Sequence, residues 1–307
     1  MDKNPFYDSS TKQIRLLWRF LLLLAFCGLS ILTLVSLTTM LYLAALLLFS
    51  NVSLAELEYH STTSLQQNLV LDPLVNFLVF LAATISVEFV RKKLDKQAAL
   101  APVSIHQWFL NFCIGLAISS LSILVTCTVF FALSGTYNAT QNHPQNLSLA
   151  VQVMIGFLSS VFLTLAKEIL LRVYLLQSTF TSLKRIFPKN ALILSVVGFS
   201  IFMATLETVQ SNHSFYYFLL VLVLQLTLSF LFFRLENVSL VAGIQSGWNY
   251  LVLTFYGTSQ YAIFTLHSKS GQKVEIVDTH MSVYILAGLL GTSGLALRYL
   301  YHPIKRA

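Results

Sequence analysis

Apolar residues in this chain neither alternate nor form narrow stripes. They come in uninterrupted runs near residues 16–50, 73–90, 108–134, 149–176, 190–209, 215–233, 239–256 and 280–300. Crossing about 30 Å of hydrocarbon takes roughly 20 helical residues. Each run is therefore read as a transmembrane helix, which predicts eight spans. The first run is too long for one perpendicular crossing and too short for two, so it is expected to start as an interfacial helix around Leu16–Phe20 and then tilt across. It also continues past the length of a signal sequence and lacks a small-residue cleavage site, so it is expected to remain as a span.

Composition leaves little room for a soluble domain. Hydrophobic residues make up 56% of the 307 positions and charged residues only 10%, against roughly a quarter charged in soluble domains. The predicted fold class is all-α, a polytopic membrane bundle. Residues 1–15 form an N-terminal tail, 16–300 a single membrane domain with its core motifs at 160–255, and 301–307 a C-terminal tail.

The net charge of +7 is informative through its distribution. With eight spans and the N-terminus inside, the inner segments hold Lys3, Lys12, Arg15, Arg19, Arg91, Lys92, Lys93, Lys96, Lys184, Arg185, Lys189, Arg234, Arg298, Lys305 and Arg306. The outer segments hold only Lys269 and Lys273. This is the positive-inside pattern, and it predicts that both termini are cytoplasmic. The cations cluster at span ends rather than on a face interleaved with aromatics, so nucleic acid is not an expected partner; the lipid bilayer is. Sequons at Asn51, Asn138 and Asn146 fall in predicted outer loops; Asn and Ser are common loop residues in any case. Cys27, Cys113 and Cys127 show neither pairing nor metal spacing and read as small buried hydrophobes.

Charges inside spans are costly and mark either function or a specific pair. The fourth run carries Lys167, Glu168 and Arg172. Glu168 and Arg172 stand at i, i+4, where an intrahelical ion pair forms, while Lys167 points about 100° away. Glu207 lies near the outer end of the fifth run, and Gln245 and Asn249 share one face of the seventh. Gly243 and Gly247 bracket Gln245, and Gly288, Gly291 and Gly294 recur in the eighth run. Small residues at such spacing let membrane helices approach closely, so both sets are read as packing seams, with the seventh span in the middle of the bundle. Trp18, Trp108 and Trp248 are read as interface anchors or core fillers.

Lys167-Glu168-x-x-x-Arg172 resembles the Glu-Glu-x-x-x-Arg motif of the CPBP family, the CAAX-type and bacteriocin-processing (Abi) intramembrane peptidases. Arg91 to Lys96 is similar to the family's basic step, Phe202 to Leu206 falls where the family has Phe-x-x-x-His, and Gln245 to Asn249 where it has His-x-x-x-Asn. The resemblance covers roughly residues 75–300 and implies the family's helical bundle. In active members the first Glu is thought to activate water, and the two His and the Asn serve as oxyanion donors or as ligands of a debated metal.

Here those positions carry Lys167, Leu206 and Gln245, and only Glu168, Arg172 and Asn249 match. A lysine repels a metal, a leucine offers no donor, and a glutamine does not shuttle protons. All seven histidines lie in loops or at span ends. No cofactor or metal is therefore expected, and Glu168–Arg172 reads as a structural pair.

The resemblance implies a catalytically inactive homologue acting as a membrane scaffold or regulator that binds another membrane or envelope protein, in a bacterial inner membrane. Lys167 would fill the former cavity and pair with Glu207 or Glu168. An active peptidase with a shifted site, Glu168 as base with Gln245 and Asn249 as oxyanion donors, is the alternative; a Ser246–Lys167 dyad is a variant of it. A small-solute or lipid-handling protein is a third reading. Transporters are commonly built from paired repeats, and no repeat is visible here.

Overall fold

The computed structural model describes residues 7–8, 13–14, 16–49, 72–95, 104–134, 137–141, 148–211, 215–235, 237–255, 264–268 and 273–274, with the single positions 288, 291 and 294. Eight α-helices are described: α1 (Leu16–Phe49), α2 (Asp72–Phe89), α3 (Ile105–Ser134), α4 (Leu149–Lys167), α5 (Gln177–Ile186), α6 (Ala191–Ser211), α7 (Phe215–Leu235) and α8 (Val238–Trp248). Three of them run directly into π-helical turns: α2 into π1 (Val90–Asp95), α4 into π2 (Glu168–Leu176) and α8 into π3 (Asn249–Phe255). Because π2 joins α4 to α5, one helix runs from Leu149 to Ile186. Its 38 residues extend about 57 Å.

Six described helices are long and apolar enough to cross a membrane, with spans at Leu21–Thr38, Pro73–Lys92, Ile105–Thr128, Leu149–Ile186, Ala191–Val209 and Tyr217–Leu235. α1 is a single unbroken helix of 34 residues, and its apolar span begins at Leu21, after Leu16–Phe20. Nothing in its sequence stops it, since it contains no proline and only Gly28. The seventh run forms α8 and π3. The eighth lies outside the described residues apart from its three glycines.

Helix ends follow local chemistry. Pro73 sits in the first turn of α2, where a missing N–H is no loss. The Asn237 carboxamide oxygen accepts from the Ser239 N–H at 2.8 Å and from its hydroxyl at 2.7 Å, starting α8 soon after α7 ends. Phe187, directly before Pro188, leaves the helical conformation and ends α5 at Ile186, and α6 begins at Ala191.

The bundle is organised around α8, in which every residue from Ser239 to Trp248 is buried. Its most extensive contact is with α3. A Cβ on Gly115 of α3 would overlap the Leu240 carbonyl, and one on Gly243 would overlap the Phe112 carbonyl. The two backbones touch because neither position has a side chain. Gly247 faces Ser119, and Gly288 faces the Thr126 hydroxyl, where a Cβ would stand 3.1 Å away. Gly291 and Gly294 meet nothing within 4 Å among the described residues.

The main apolar core joins α3, π2, α6, α7, α8 and π3, with Trp248 and Leu228 in its interior. A smaller cluster of Leu23, Val87, Val90 and Tyr174 ties α1 and α2 to π2. The outward faces stay apolar, with Leu32, Met40 and Ile193 all exposed, as suits surfaces that meet lipid.

Short strands occur outside the helices. β1 (Tyr7–Asp8) pairs with β2 (Gln13–Ile14), and β3 (Tyr137–Gln141) pairs with β4 (Phe264–Ser268), which also pairs with β5 (Lys273–Val274). The β3–β4 pairing joins the segment after α3 to the segment after π3, so those two helix ends lie on the same side of the bundle.

Candidate functional site: a buried polar network

The polar residues of the spans converge where π2 meets α6, α7 and α8. Glu168 opens π2 and forms an ion pair with Arg172. Both are buried, with 4% and 1% of their surface exposed. The second guanidinium nitrogen of Arg172 donates to the Gln225 carboxamide oxygen on α7. The Gln225 amide then donates to Glu207 on α6 at 3.3 Å. The guanidinium carbon lies 5.9 Å from the centre of the Phe199 ring, which places the cation over a π face. One chain of polar contacts thus runs from Glu168 through Arg172 and Gln225 to Glu207 and links three helices.

Lys167 is half-buried beside this chain and, with Arg172 and Glu168, acts electrostatically on Glu207. No hydrogen bond or ion pair of its ammonium is formed with the other described residues. Glu168 is committed to Arg172 instead, and Lys167 is close enough to Glu207 to feel its charge without touching it. With Lys167 beside the chain, two acids and two bases stand together, equal in number. That balance is what burial at membrane depth requires.

The second motif-bearing helix packs against the same face of α4. The Asn249 amide donates to the Thr164 hydroxyl at 2.9 Å. Thr164 stands one turn before Glu168, so Asn249 approaches the face that carries Glu168. Gln245, one turn before Asn249, is buried. Its carboxamide oxygen has no hydrogen-bond partner among the described residues, and neither does the second carboxylate oxygen of Glu168. Leu206 is half-buried on α6 next to Glu207 and adds no polar atom. Ser246 is fully buried and its hydroxyl has no partner among the described residues, so the Ser246–Lys167 dyad is not formed.

Two members of this arrangement, Gln225 and Thr164, belong to no motif of the sequence. Gln225 was visible as a lone amide in the middle of an apolar span, which is itself a costly placement. Thr164 carried no signal, because threonine satisfies its hydroxyl on its own helix without penalty. The helical geometry also differs from the expected one. Glu168 and Asn249 each stand at the point where an α-helix becomes a π-helix. Such turns are rare and gather at functional sites.

Among the described residues, no three His, Cys, Asp or Glu side chains lie close enough together to hold a metal ion. With Lys167 contributing a positive charge and Leu206 no donor, the residues present do not fit the metal debated for the resembled peptidases. Comparison of the chain with protein-family models, with curated proteins and with solved structures finds no match.

Proposed function

We propose that this chain is a non-catalytic member of the CPBP-like group, an eight-span protein of a bacterial inner membrane with both termini cytoplasmic, and that it acts by binding another membrane or envelope protein. The observation that carries the reading is the commitment of Glu168. The carboxylate that follows the lost base position is tied to Arg172, and Arg172 is held in turn by Gln225. A general base must be free to reach water or substrate, whereas this one neutralises a buried guanidinium. The order of Glu168, Leu206, Gln245 and Asn249 along the chain, and the Thr164–Asn249 contact, support the likeness to that group. On this reading, what the family uses to hydrolyse peptides is replaced by a polar clamp across three helices. A binding protein gains a rigid, unreactive interior from such a clamp.

One observation favours a second reading, residual peptidase activity. The free oxygens of Glu168 and Gln245 are buried acceptors that a water molecule could satisfy. Incubating the purified chain with a quenched-fluorescence peptide library separates the two. The binding-protein reading predicts no cleavage above that of Glu168→Gln. Cleavage by the wild type that disappears in Glu168→Gln would establish the peptidase.

A further inference from the structure

The elbow between α5 and α6 concentrates positive charge. Lys184, Arg185 and Lys189 fall within six residues and are all exposed. Between them Ile186 and Phe187 are exposed at 68% and 49%. Residues 169–206 contain no Asp or Glu.

The elbow is an ordered structure. The Phe187 N–H donates to the Leu183 carbonyl at 2.7 Å, the Asn190 N–H to the Phe187 carbonyl at 3.1 Å, and the Leu194 N–H to the Asn190 carbonyl at 2.9 Å. The Lys184 ammonium lies 5.7 Å from the Phe180 ring, and Phe180 packs on Phe233 of α7 at 5.0 Å between ring centres. That contact brings the last turn of α7, which carries exposed Arg234, alongside α5.

Its depth is fixed by its neighbours. One span ends at Ile186 and the next begins at Ala191, and Leu192, Ile193 and Leu194 are already exposed apolar side chains. Residues this apolar and this exposed belong in hydrocarbon, so the elbow directly before them stands at headgroup level. α5 is suited to that level, since Thr181 and Ser182 return their hydroxyls to the Ser178 carbonyl at 3.0 and 2.8 Å.

We infer that the α5–α6 elbow is a binding site for anionic phospholipid, with Lys184, Arg185 and Lys189 meeting the phosphate-bearing headgroups while Ile186 and Phe187 enter the acyl boundary. Cations alternating with apolar side chains are what such an interface selects. Each basic residue near an anionic leaflet contributes roughly a fivefold gain in association, on the order of a hundredfold for three. The inference is independent of what the polar network does.

The test uses the full-length chain, delipidated in neutral detergent. Thermal unfolding is followed as phosphatidylglycerol or phosphatidylcholine is added to the wild type and to the K184Q/R185Q/K189Q triple variant. The expected result is stabilisation by phosphatidylglycerol at far lower concentration than by phosphatidylcholine, a preference that falls by one to two orders of magnitude in the triple variant and weakens with added salt. Equal response to the two lipids, or an unchanged preference in the triple variant, would overturn the inference. Should the triple variant fail to fold, a photoactivatable phosphatidylglycerol is crosslinked to the wild type and the adducts mapped. Adducts within 177–194 support the site, and adducts spread evenly over the span ends refute it.

Discussion

Arg172 ties its own helix to two others. It reaches Glu168 along its own helix, Gln225 across to α7 and the Phe199 ring on α6. Removing one partner of a buried ion pair leaves the other charge without compensation, at a cost of about 3–5 kcal/mol. Arg172→Met is therefore expected to lower stability by about that amount, read from unfolding in detergent. Replacing both charges together, Glu168→Leu with Arg172→Met, is expected to recover most of the loss. A double variant as unstable as the sum of the singles would show that the two residues do not act as a pair. Gln225→Leu strips Arg172 of its second acceptor and is expected to cost about 1–3 kcal/mol. The sequence made the Glu168–Arg172 pair legible, because spacing along one helix is enough to predict it. It did not give Gln225 a role, since that depends on how α7 sits against π2.

Among the helices, the contact of α3 with α8 sets how closely the centre of the bundle packs. Gly115 and Gly243 each lie against the carbonyl of the facing backbone, where no side chain can move aside. Gly243→Val is expected to destabilise the protein by about 1–3 kcal/mol or more through overpacking. Gly28→Ala on α1, where a Cβ meets nothing within 4 Å among the described residues, is expected to be neutral or to stabilise by about 0.5–1 kcal/mol. Equal effects at the two positions would argue against a glycine-dependent seam. The spacing of Gly243 and Gly247 showed in the sequence which face of α8 is small, but not that Gly115 is its counterpart. The π-helical turns left no trace in the sequence pattern. Whether the backbone opens to an i→i+5 bond at Glu168 and Asn249 depends on neighbours that pattern does not display.

For the molecule as a whole, runs of apolar residues were enough to place six helices able to cross a membrane, because length and the absence of charge determine that property locally. The boundary of the fourth helix was not legible. Gln177–Ile186 is polar enough to read as a loop, yet it continues the helix to Ile186 because Phe180 packs on Phe233 and its hydroxyls bond to its own backbone. The proposed orientation predicts that Thr140→Cys in β3 reacts with a membrane-impermeant maleimide in intact cells, and that Lys184→Cys reacts only after lysis. Labelling of both in intact cells would contradict it.

On the proposed reading, the interior has exchanged catalysis for a fixed clamp and the protein works by binding a membrane neighbour. Purification of the chain from its native membrane in mild detergent, with quantitative mass spectrometry of what remains bound, tests it most directly. One membrane or envelope protein is expected in near-stoichiometric amount. A homogeneous preparation with no such companion would contradict it.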